Sequence, residues 1–488
     1  MGHYLGVTSL PIHLYDTRRR SVVAFEPIHP GKVGIYTCGP TVYGPQHLGN
    51  MRSQLLPDVL RRVLGASGLD VRYVTNITDV GHLVSDADDG DDKVEAAAAR
   101  TGESVEQITR RWTDQWATDR RRLGCLEPDS VPKATEHIAG QIEMVQVLEA
   151  KGHTYQIGDG VYFDVSTFPR YAEFAGLTLD DHEATGRIDN IVDKRHPADF
   201  ALWKLTPPGV SRLQEWDSPW GRGFPGWHIE CSVMASEELG RHIDIHTGGV
   251  DHVRVHHTNE VAQSECAFEL HPWVNIWMHN EFLDLGGEKM SKSRGHILTV
   301  DSLVERGIDP LAFRYFFLQT HYRQQQAFGF DLVEASGTGL RRLTQHATNA
   351  RDEVGGDLLA PGSAGQRAEE LRKQFWSALV DDLNTPKAMA VVSTVARDGE
   401  LSHADRWSLL GDFDRILGFG FADAASVGSG ELGADLGAKE PEVAKLLAAR
   451  QAARLAKDFA TADRIRDELA AKGWEIVDTP QGPTVRRS

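Results

Sequence analysis

The sequence predicts an α/β fold in which one parallel sheet is split by a long insertion and followed by a largely helical C-terminal part. Three observations carry this. A strand, a Gly/Pro-rich loop, a helix and a second strand follow one another between Gly31 and Val80. Two further β-rich apolar stretches, separated by a helical pattern, lie between His242 and Asn280. Beyond Asp309 the texture is helical almost throughout. Strands that alternate with helices specify a parallel sheet, because each parallel connection needs a crossover long enough to hold a helix.

"VGIYTC", ending at Cys38, is an apolar, β-rich run of strand length, and Gly and Pro punctuate the loop after it. Leu55, Leu56, Val59, Leu60, Val63 and Leu64 then recur at helical spacing, before "LDVRYVTNITDV" supplies the next strand. In such sheets ligands sit beyond the carboxyl ends of strands, against helix N-termini, and "HLGN" (His47 to Asn50) falls there. The aspartate-rich "SDADDGDDK" lacks the ligand spacing of an EF-hand and is expected to be a hydrated acidic loop. Helical patterns continue to about Lys151, and "GVYFDVSTF" predicts a strand. A Pro/Gly/Trp-rich stretch follows and ends in "WDSPWGRGFPGWHIECSVMA". "HIDIHTGGVDHVRVHHTNEVAQSECAF" gives strand, turn and helix, and "WVNIWMHNEFLDLGGEKMSKSRG" gives a strand running into a lysine-rich loop.

After the helices of "DPLAFRYFFLQTHYR" and its successors, "GFGFADAASVGSGELGADLG" has the Gly/Ala-rich composition of a linker. In the terminal segment Arg450, Arg454, Lys457 and Arg464 are predicted to share one face of a long helix, with Leu455, Phe459, Ala462 and Leu469 available for packing. Such a stripe is compatible with RNA contact, although a basic helical stripe is usually an ordinary solvated face.

Bulk composition narrows the function classes. The chain has 488 residues, 41% of them hydrophobic, which is enough for several domains. No apolar run is long enough to cross a bilayer, and the start lacks the layout of a secretory signal. Cys38, Cys125, Cys231 and Cys266 are widely separated, so free thiols and a cytoplasmic location are expected. A formal charge of −18 is the opposite of a generic nucleic-acid binder, so any RNA surface must be local.

Three groups of residues carry chemistry. His47 and Asn50 stand at a helix N-terminus, where the dipole and unpaired N–H groups favour phosphate, and Gly49 admits a flat ligand. Lys289, Ser291 and Lys292 in "KMSKS" offer cations for a polyphosphate, although lysines and serines between glycines also make plain surface loops. His256 and Glu260 are four apart on a predicted helix and can face one ion. Cys38 and Cys231, on spacing alone, are just as well buried packing residues.

Taken in chain order, "YTCGPTVYGPQHLGN", "NITDV", "WDSPWGRGFPGWHIECSVMA", "HHTNEVAQSECA", "KMSKS", "DDLNTPKAM" and "KDFATADRIRDEL" resemble the cysteinyl-tRNA synthetases, a class I family. The resemblance runs almost to the C-terminus. It implies a Rossmann-like catalytic domain in two halves (1–130 and 226–308) around a connective insertion (131–225). It further implies a helical tRNA-supporting bundle (309–418), a linker (419–440) and an anticodon-binding module (441–488).

The same resemblance implies one Zn2+ on Cys38, Cys231, His256 and Glu260, with the first histidine of the pair chosen over His257. ATP with Mg2+ would meet His47, Gly49, Asn50, Lys289, Ser291 and Lys292, of which His47, Asn50, Lys289 and Lys292 would act in catalysis. L-cysteine would meet Thr78, Trp227, His228 and Asp251, and tRNA(Cys) would meet the basic face from Arg450 to Arg464 of a monomer. Asp251 is as readily a turn residue.

Zinc suits the task, since cysteine and serine differ mainly by sulfur for oxygen and an apolar pocket separates them poorly. Departures from the family pattern are Asn50 for the second histidine of the usual HIGH signature, the lengthened acidic loop, "GGVDHVRVHH" for "GGSDLIFPHH", and Val485 where tryptophan is common. Two rival readings are a ligase that passes cysteinyl-adenylate to a small amine and a catalytically silent RNA-binding relative.

Overall fold

A computed structural model of the chain describes residues 10–81, 92–176, 193–284, 297–355 and 364–421. In the terminal segment it describes 443, 445, 446, 448–450, 453, 458–472, 474–479 and 482–487. Two short antiparallel strands, β1 (His13–Asp16) and β2 (Ser21–Ala24), precede the central sheet. That sheet joins β3 (Lys32–Thr37), β4 (Asp70–Thr75), β9 (Ile243–Gly249) and β10 (Val274–Asn280) in the spatial order β10-β9-β3-β4, with every pair parallel.

The chain goes outward from β3 to β4 and later returns to the other side of β3 to make β9 and β10. The strand order therefore reverses between β3 and β9, and ligands bind at such a switch point, beyond the carboxyl ends. In register, Thr37 faces Thr75 on one side and Thr247 on the other, so Cys38 leaves the sheet level with Gly248.

α1 (Leu48–Ala66) makes the first crossover. Its start is fixed by a reciprocal cap in which His47 Nδ1 accepts from Asn50 N–H and Asn50 Oδ1 accepts from His47 N–H. Its apolar face, including Leu55, Val59, Leu60 and Val63, is buried. β9 is buried at every position although it carries Asp244 and His246. The Asp244 carboxylate is satisfied by Ile28 N–H at 2.6 Å and Gly34 N–H at 2.8 Å.

Between β4 and β9 come α2 (Lys93–Thr101), α3 (Val105–Arg122) and α4 (Ile138–Ala150). An antiparallel sheet of β5 (Thr154–Ile157), β6 (Gly160–Phe163), β7 (Phe200–Leu205) and β8 (Gly223–Pro225) follows. Only β6 was legible in the sequence; β5 is four residues long, and β7 and β8 are separated by the Pro/Gly/Trp-rich loop. α5 (Trp227–Leu239) then leads into β9, and α6 (His256–Phe268) joins β9 to β10.

After β10 the two-residue strand β11 (Leu283–Asp284) pairs with β12 (Gln326–Ala327), and α7 (Val300–Glu305) lies between them in sequence. α8 (Pro310–Leu318), α9 (Phe330–Glu353), α10 (Gln366–Leu379), α11 (Thr385–Arg397) and α12 (His403–Leu417) form the bundle. Asp309 caps α8 with proline in its first turn, and Gly418 ends α12 in a left-handed conformation at φ 67°.

One apolar core runs without interruption from Leu55 and Leu60 of α1 through Phe313 of α8 to Phe375 and Leu410 of the bundle. A second core lies on the opposite side of the sheet, where Trp203, Trp273 and Trp277 pack with α4 and α5. The central sheet's first crossover helix and the helical bundle thus share one core. Among the described residues no helix is long and apolar enough to cross a membrane.

The terminal segment corrects the sequence reading. The expected long helix is interrupted, because Asp458 caps a separate α13 (Phe459–Ala471) by accepting from Thr461 N–H at 3.1 Å. Arg450 is 7% exposed while Arg464 is exposed, so the two do not form a common solvated stripe. Arg454 and Lys457 lie outside the described residues. An antiparallel pair, β13 (Trp474–Thr479) with β14 (Gly482–Arg487), closes the module and contains Val485 opposite Ile476.

Candidate active site and metal centre

Three segments far apart in sequence meet beyond the carboxyl ends of β3 and β9. Cys38 follows β3 directly, Cys231 lies in the second turn of α5, and α6 starts at His256. The Cys38 and Cys231 sulfurs are 3.9 Å apart. His256 Nε2 lies 3.8 Å from a Glu260 oxygen, as their helical spacing requires. The donor atoms of Cys38, Cys231, His256 and Glu260 all fall within 4.8 Å of one another.

A second set overlaps the first. Cys38, His246, His257 and Glu260 also lie within 4.8 Å of one another. His257 Nε2 is 3.4 Å from Cys38 Sγ, and His246 Nε2 is 3.3 Å from Glu260 Oε2. His257 Nδ1 continues to His279 Nε2 at 2.7 Å, and His279 Nδ1 to Thr17 Oγ1 at 2.7 Å.

The chemistry of these donors fits a soft or borderline cation. Cys231 is 1% exposed and Glu260 is 0% exposed. Burial pushes the Cys231 thiol up to about 11 and the Cys38 thiol well above its usual range. It holds the His257 imidazole well below its ordinary value, reinforced by His246 and His279. Glu260 Oε2 accepts no hydrogen bond from the described residues although three imidazole nitrogens surround the carboxylate at 3.3–3.8 Å. Two thiols and three imidazoles gathered around a buried carboxylate oxygen with no donor are what a divalent ion would organise, since it stabilises thiolate directly.

The neighbours hold these donors in place. His228 Nδ1 is 3.0 Å from His256 Nδ1, which leaves His256 Nε2 on the Glu260 side. The Trp227 ring stands 4.5 Å from that of His256. Thr78 Oγ1 donates to Glu230 Oε1 at 2.5 Å and accepts from Asn76 Nδ2 at 3.2 Å. Burial raises the Glu230 carboxyl well above the carboxylate range. Asn76 Oδ1 in turn accepts Gly39 N–H at 2.8 Å. A Cβ at Gly39 would lie 1.5 Å from Asn76 O, so only glycine fits where the chain leaves β3. Asp251 is exposed on the turn Val250–His252 and is not among the converging atoms.

On the α1 side, Asn50 N–H donates to His47 Nδ1 at 3.0 Å. A neutral His47 therefore carries its proton on Nε2, which makes Nε2 a donor. A Cβ at Gly49 would stand 3.0 Å from that ring, so glycine leaves the ring uncrowded. Lys289, Ser291 and Lys292 lie outside the described residues.

Sequence reasoning missed His246, His279, Asn76 and Glu230. His246 lay in a strand that mixes polar and apolar residues and so did not stand out, whereas Glu230 had a signal in its adjacency to Cys231.

Comparisons with known proteins agree with this architecture. The family profile for the tRNA synthetases class I (C) catalytic domain matches residues 24–337, and that for the cysteinyl-tRNA ligase anticodon binding domain matches 438–486. Cysteine–tRNA ligase 1 of Burkholderia lata is 44% identical, over 97% of this chain and 96% of its own length. Cysteine–tRNA ligase of Treponema denticola is 39% identical, over 96% of this chain and 98% of its own length. Among solved structures, methionyl-tRNA synthetase of Mycobacterium tuberculosis in complex with methionyl-adenylate aligns with a TM-score of 0.57 at 16% identity, covering 82% of this chain and 94% of that one. A LeuRS–tRNA–LeuAMS complex from Agrobacterium radiobacter K84 aligns at 0.58 and 13% identity, covering 82% and 85%. At such identities the structural likeness speaks for the fold. Sequence match, order of motifs and sheet topology agree, and the chain belongs to the cysteine–tRNA ligase family.

Proposed function

We propose that this chain joins L-cysteine to tRNA(Cys) in two steps. A cysteine carboxylate oxygen attacks the α-phosphorus of ATP, a P–O–P bond breaks, and pyrophosphate leaves cysteinyl-adenylate behind. The 2′-hydroxyl oxygen of the terminal tRNA ribose then attacks the acyl carbon, AMP leaves, and the hydroxyl proton is released. The observation that carries this reading is the convergence of Cys38, Cys231, His256 and Glu260 at the carboxyl end of the strand that leads to the His47–Asn50 helix cap.

Zn2+ would be held by Cys38, Cys231, His256 and Glu260, and when bound it supplies an affinity for thiolate over hydroxyl. Trp227 and Thr78 shape the cysteine pocket, His228 orients His256, and Asp251 receives the substrate ammonium. His47 Nε2–H, the exposed Asn50 amide and the α1 N-terminus meet phosphate oxygens, and Gly49 lets ATP approach. Lys289, Ser291 and Lys292 complete the polyphosphate site, with Mg2+ accompanying ATP. The catalytic halves are 1–130 and 226–308, the insertion 131–225, the bundle 309–418, the linker 419–440 and the anticodon module 441–488. In that module Arg464 is an exposed cation for RNA, with Arg454 and Lys457, whereas the buried Arg450 has a structural part. The working form is a cytoplasmic monomer.

The test is charging of purified tRNA(Cys) with cysteine and with serine, alongside cysteine-dependent ATP–pyrophosphate exchange. Charging with cysteine alone is the expected result. Exchange without charging, together with transfer to small amines, would replace the tRNA reading by the amine ligase; absence of exchange would reject both.

A further inference from the structure

The mechanism above leaves one buried cation of α1 without a role. Arg52 lies five residues beyond His47, about 7.5 Å down the helix axis at the ordinary rise, and its side chain is 0% exposed. Its fork spans two separate segments, since Nη1 donates to Phe282 O at 2.5 Å and Nη2 to Gln324 O at 2.8 Å. Its Nε has no hydrogen-bond partner, and the guanidinium lies 5.9 Å from the Phe317 ring centroid. Among the described residues no carboxylate lies within ion-pair distance of it. Burial brings its pKa down to about 10, against a raising influence from Glu281.

The two carbonyls are informative. Phe282 immediately precedes β11 and Gln324 shortly precedes its partner β12. The same junction is closed by Gln326 N–H donating to Phe282 O at 3.2 Å and Phe328 N–H to Asp284 O at 2.6 Å. On the far side of the lysine-bearing stretch, Leu48 N–H, next to His47, donates to Leu298 O at 2.8 Å. The described flanks on both sides of that stretch are therefore tied to the first two turns of α1, one through Arg52 and one through Leu48.

We infer that Arg52 is a positioning residue for ATP, whose two-pronged hydrogen bonding sets the chain at Phe282 and Gln324 in fixed relation to the His47–Asn50 helix end. This rests on the proposed ATP-handling role of Lys289 and Lys292. A purely structural link between these carbonyls needs no charge, and burying one without a carboxylate is unfavourable. A guanidinium near the start of α1 adds a positive field of the same sign as the helix dipole where phosphate charge accumulates. A lysine would reach one carbonyl at a time, while a methionine would keep the volume and lose both bonds.

The full-length chain carrying Arg52→Met, Arg52→Lys or Lys292→Ala is to be assayed by cysteine-dependent ATP–pyrophosphate exchange, with KM for each substrate, kcat and Tm. Arg52→Met is expected to lower kcat/KM for ATP by about tenfold or more, the scale of loss from misplacing reacting groups, while KM for cysteine moves less than twofold. Arg52→Lys should fall between it and the parent. A rise in KM for cysteine equal to that for ATP, or Arg52→Met within twofold of the parent in kcat/KM for ATP, would overturn the assignment. If Arg52→Met does not fold, Arg52→Lys decides by the same ATP-against-cysteine split. Loss in Lys292→Ala with none in the Arg52 variants removes only the Arg52 assignment. No loss in Lys292→Ala removes the lysine reading, and Arg52 then has nothing to position.

Discussion

Arg314 of α8 and Asp58 of α1 form an ion pair with both side chains at most 1% exposed, Nη2 donating to Oδ2 at 2.7 Å. The pair joins the catalytic half to the bundle at their common core. The same guanidinium donates to Leu417 O at the end of α12 and to Leu123 O at 3.2 Å, and Arg62 reaches Asp58 at 2.9 Å. Arg314 and Arg62 draw the Asp58 carboxyl below its usual range in spite of burial. Replacing Asp58 by leucine leaves the buried Arg314 and the partly buried Arg62 without their carboxylate and should cost about 3–5 kcal/mol. Arg314→Met leaves Asp58 its Arg62 contact and should cost less. Urea unfolding of the two variants checks the order, and equal or reversed losses would contradict it.

Asp119 should give this protein a pH dependence of the opposite sense to that of an ordinary ion pair. Burial raises its pKa to about 6, Asp301 adds to the rise, and Gln115 and Arg122 oppose it. Because the folded value lies above the unfolded one of about 3.9, the folded state binds more protons between the two. The Asp119 contribution to stability therefore falls as pH rises from about 4 through 6. Asp119→Asn should flatten that interval, seen as a smaller difference between urea midpoints measured near pH 4.5 and pH 7.

The two overlapping donor sets predict different metal contents. If Zn2+ takes Cys38, Cys231, His256 and Glu260, then Cys231→Ser and His256→Asn lose the ion on dialysis while His246→Asn keeps it. Metal analysis of the three proteins gives the answer, and retention in His256→Asn with loss in His246→Asn would select the other set. If the proposed zinc is bound, treating the parent with a chelator should lower cysteine activation far more than ATP affinity.

The His47–Asn50 cap separates folding from chemistry. Asn50→Ala removes the acceptor for His47 N–H and should cost about 1 kcal/mol of stability, in the range of helix-cap losses, as well as slowing exchange. Asn50→Asp restores an acceptor and should recover the stability. In the proposed ATP site its negative charge would face the phosphates, so KM for ATP should rise further. Thermal melts with exchange kinetics test the split, and a parallel recovery of both quantities would reject it.

Much of the frame was legible because its signals are local. The central strands, α1 and the α8 start at Asp309 announce themselves through side-chain period, chain punctuation and caps within a few residues of one another. The motif order was equally a property of the chain, and it pointed to the family before any geometry. Helical spacing also put His256 and Glu260 on one face.

Other features had no local signal. β5, β7 and β8 are short strands whose pairing partners lie across turns and a long loop. The break at Asp458 turned an apparent continuous basic helix into two segments, leaving Arg450 buried and Arg464 exposed. His246 sits in a strand that also carries Asp244 and Thr247, so its polarity did not mark it out, and only the adjacency of β9 to β3 places it near Cys38. Arg52 had no partner that could be named, because its acceptors are backbone carbonyls 230 and 272 residues away. Sequence alone settled the central strands, α1, the start of the bundle and the family they serve, since periodicity, capping and motif order are written into neighbouring residues. Tertiary structure alone decided which polar groups share the buried space beyond β3 and β9, because strand order sets that convergence and distant charges and carbonyls meet only once the sheet has closed on its core.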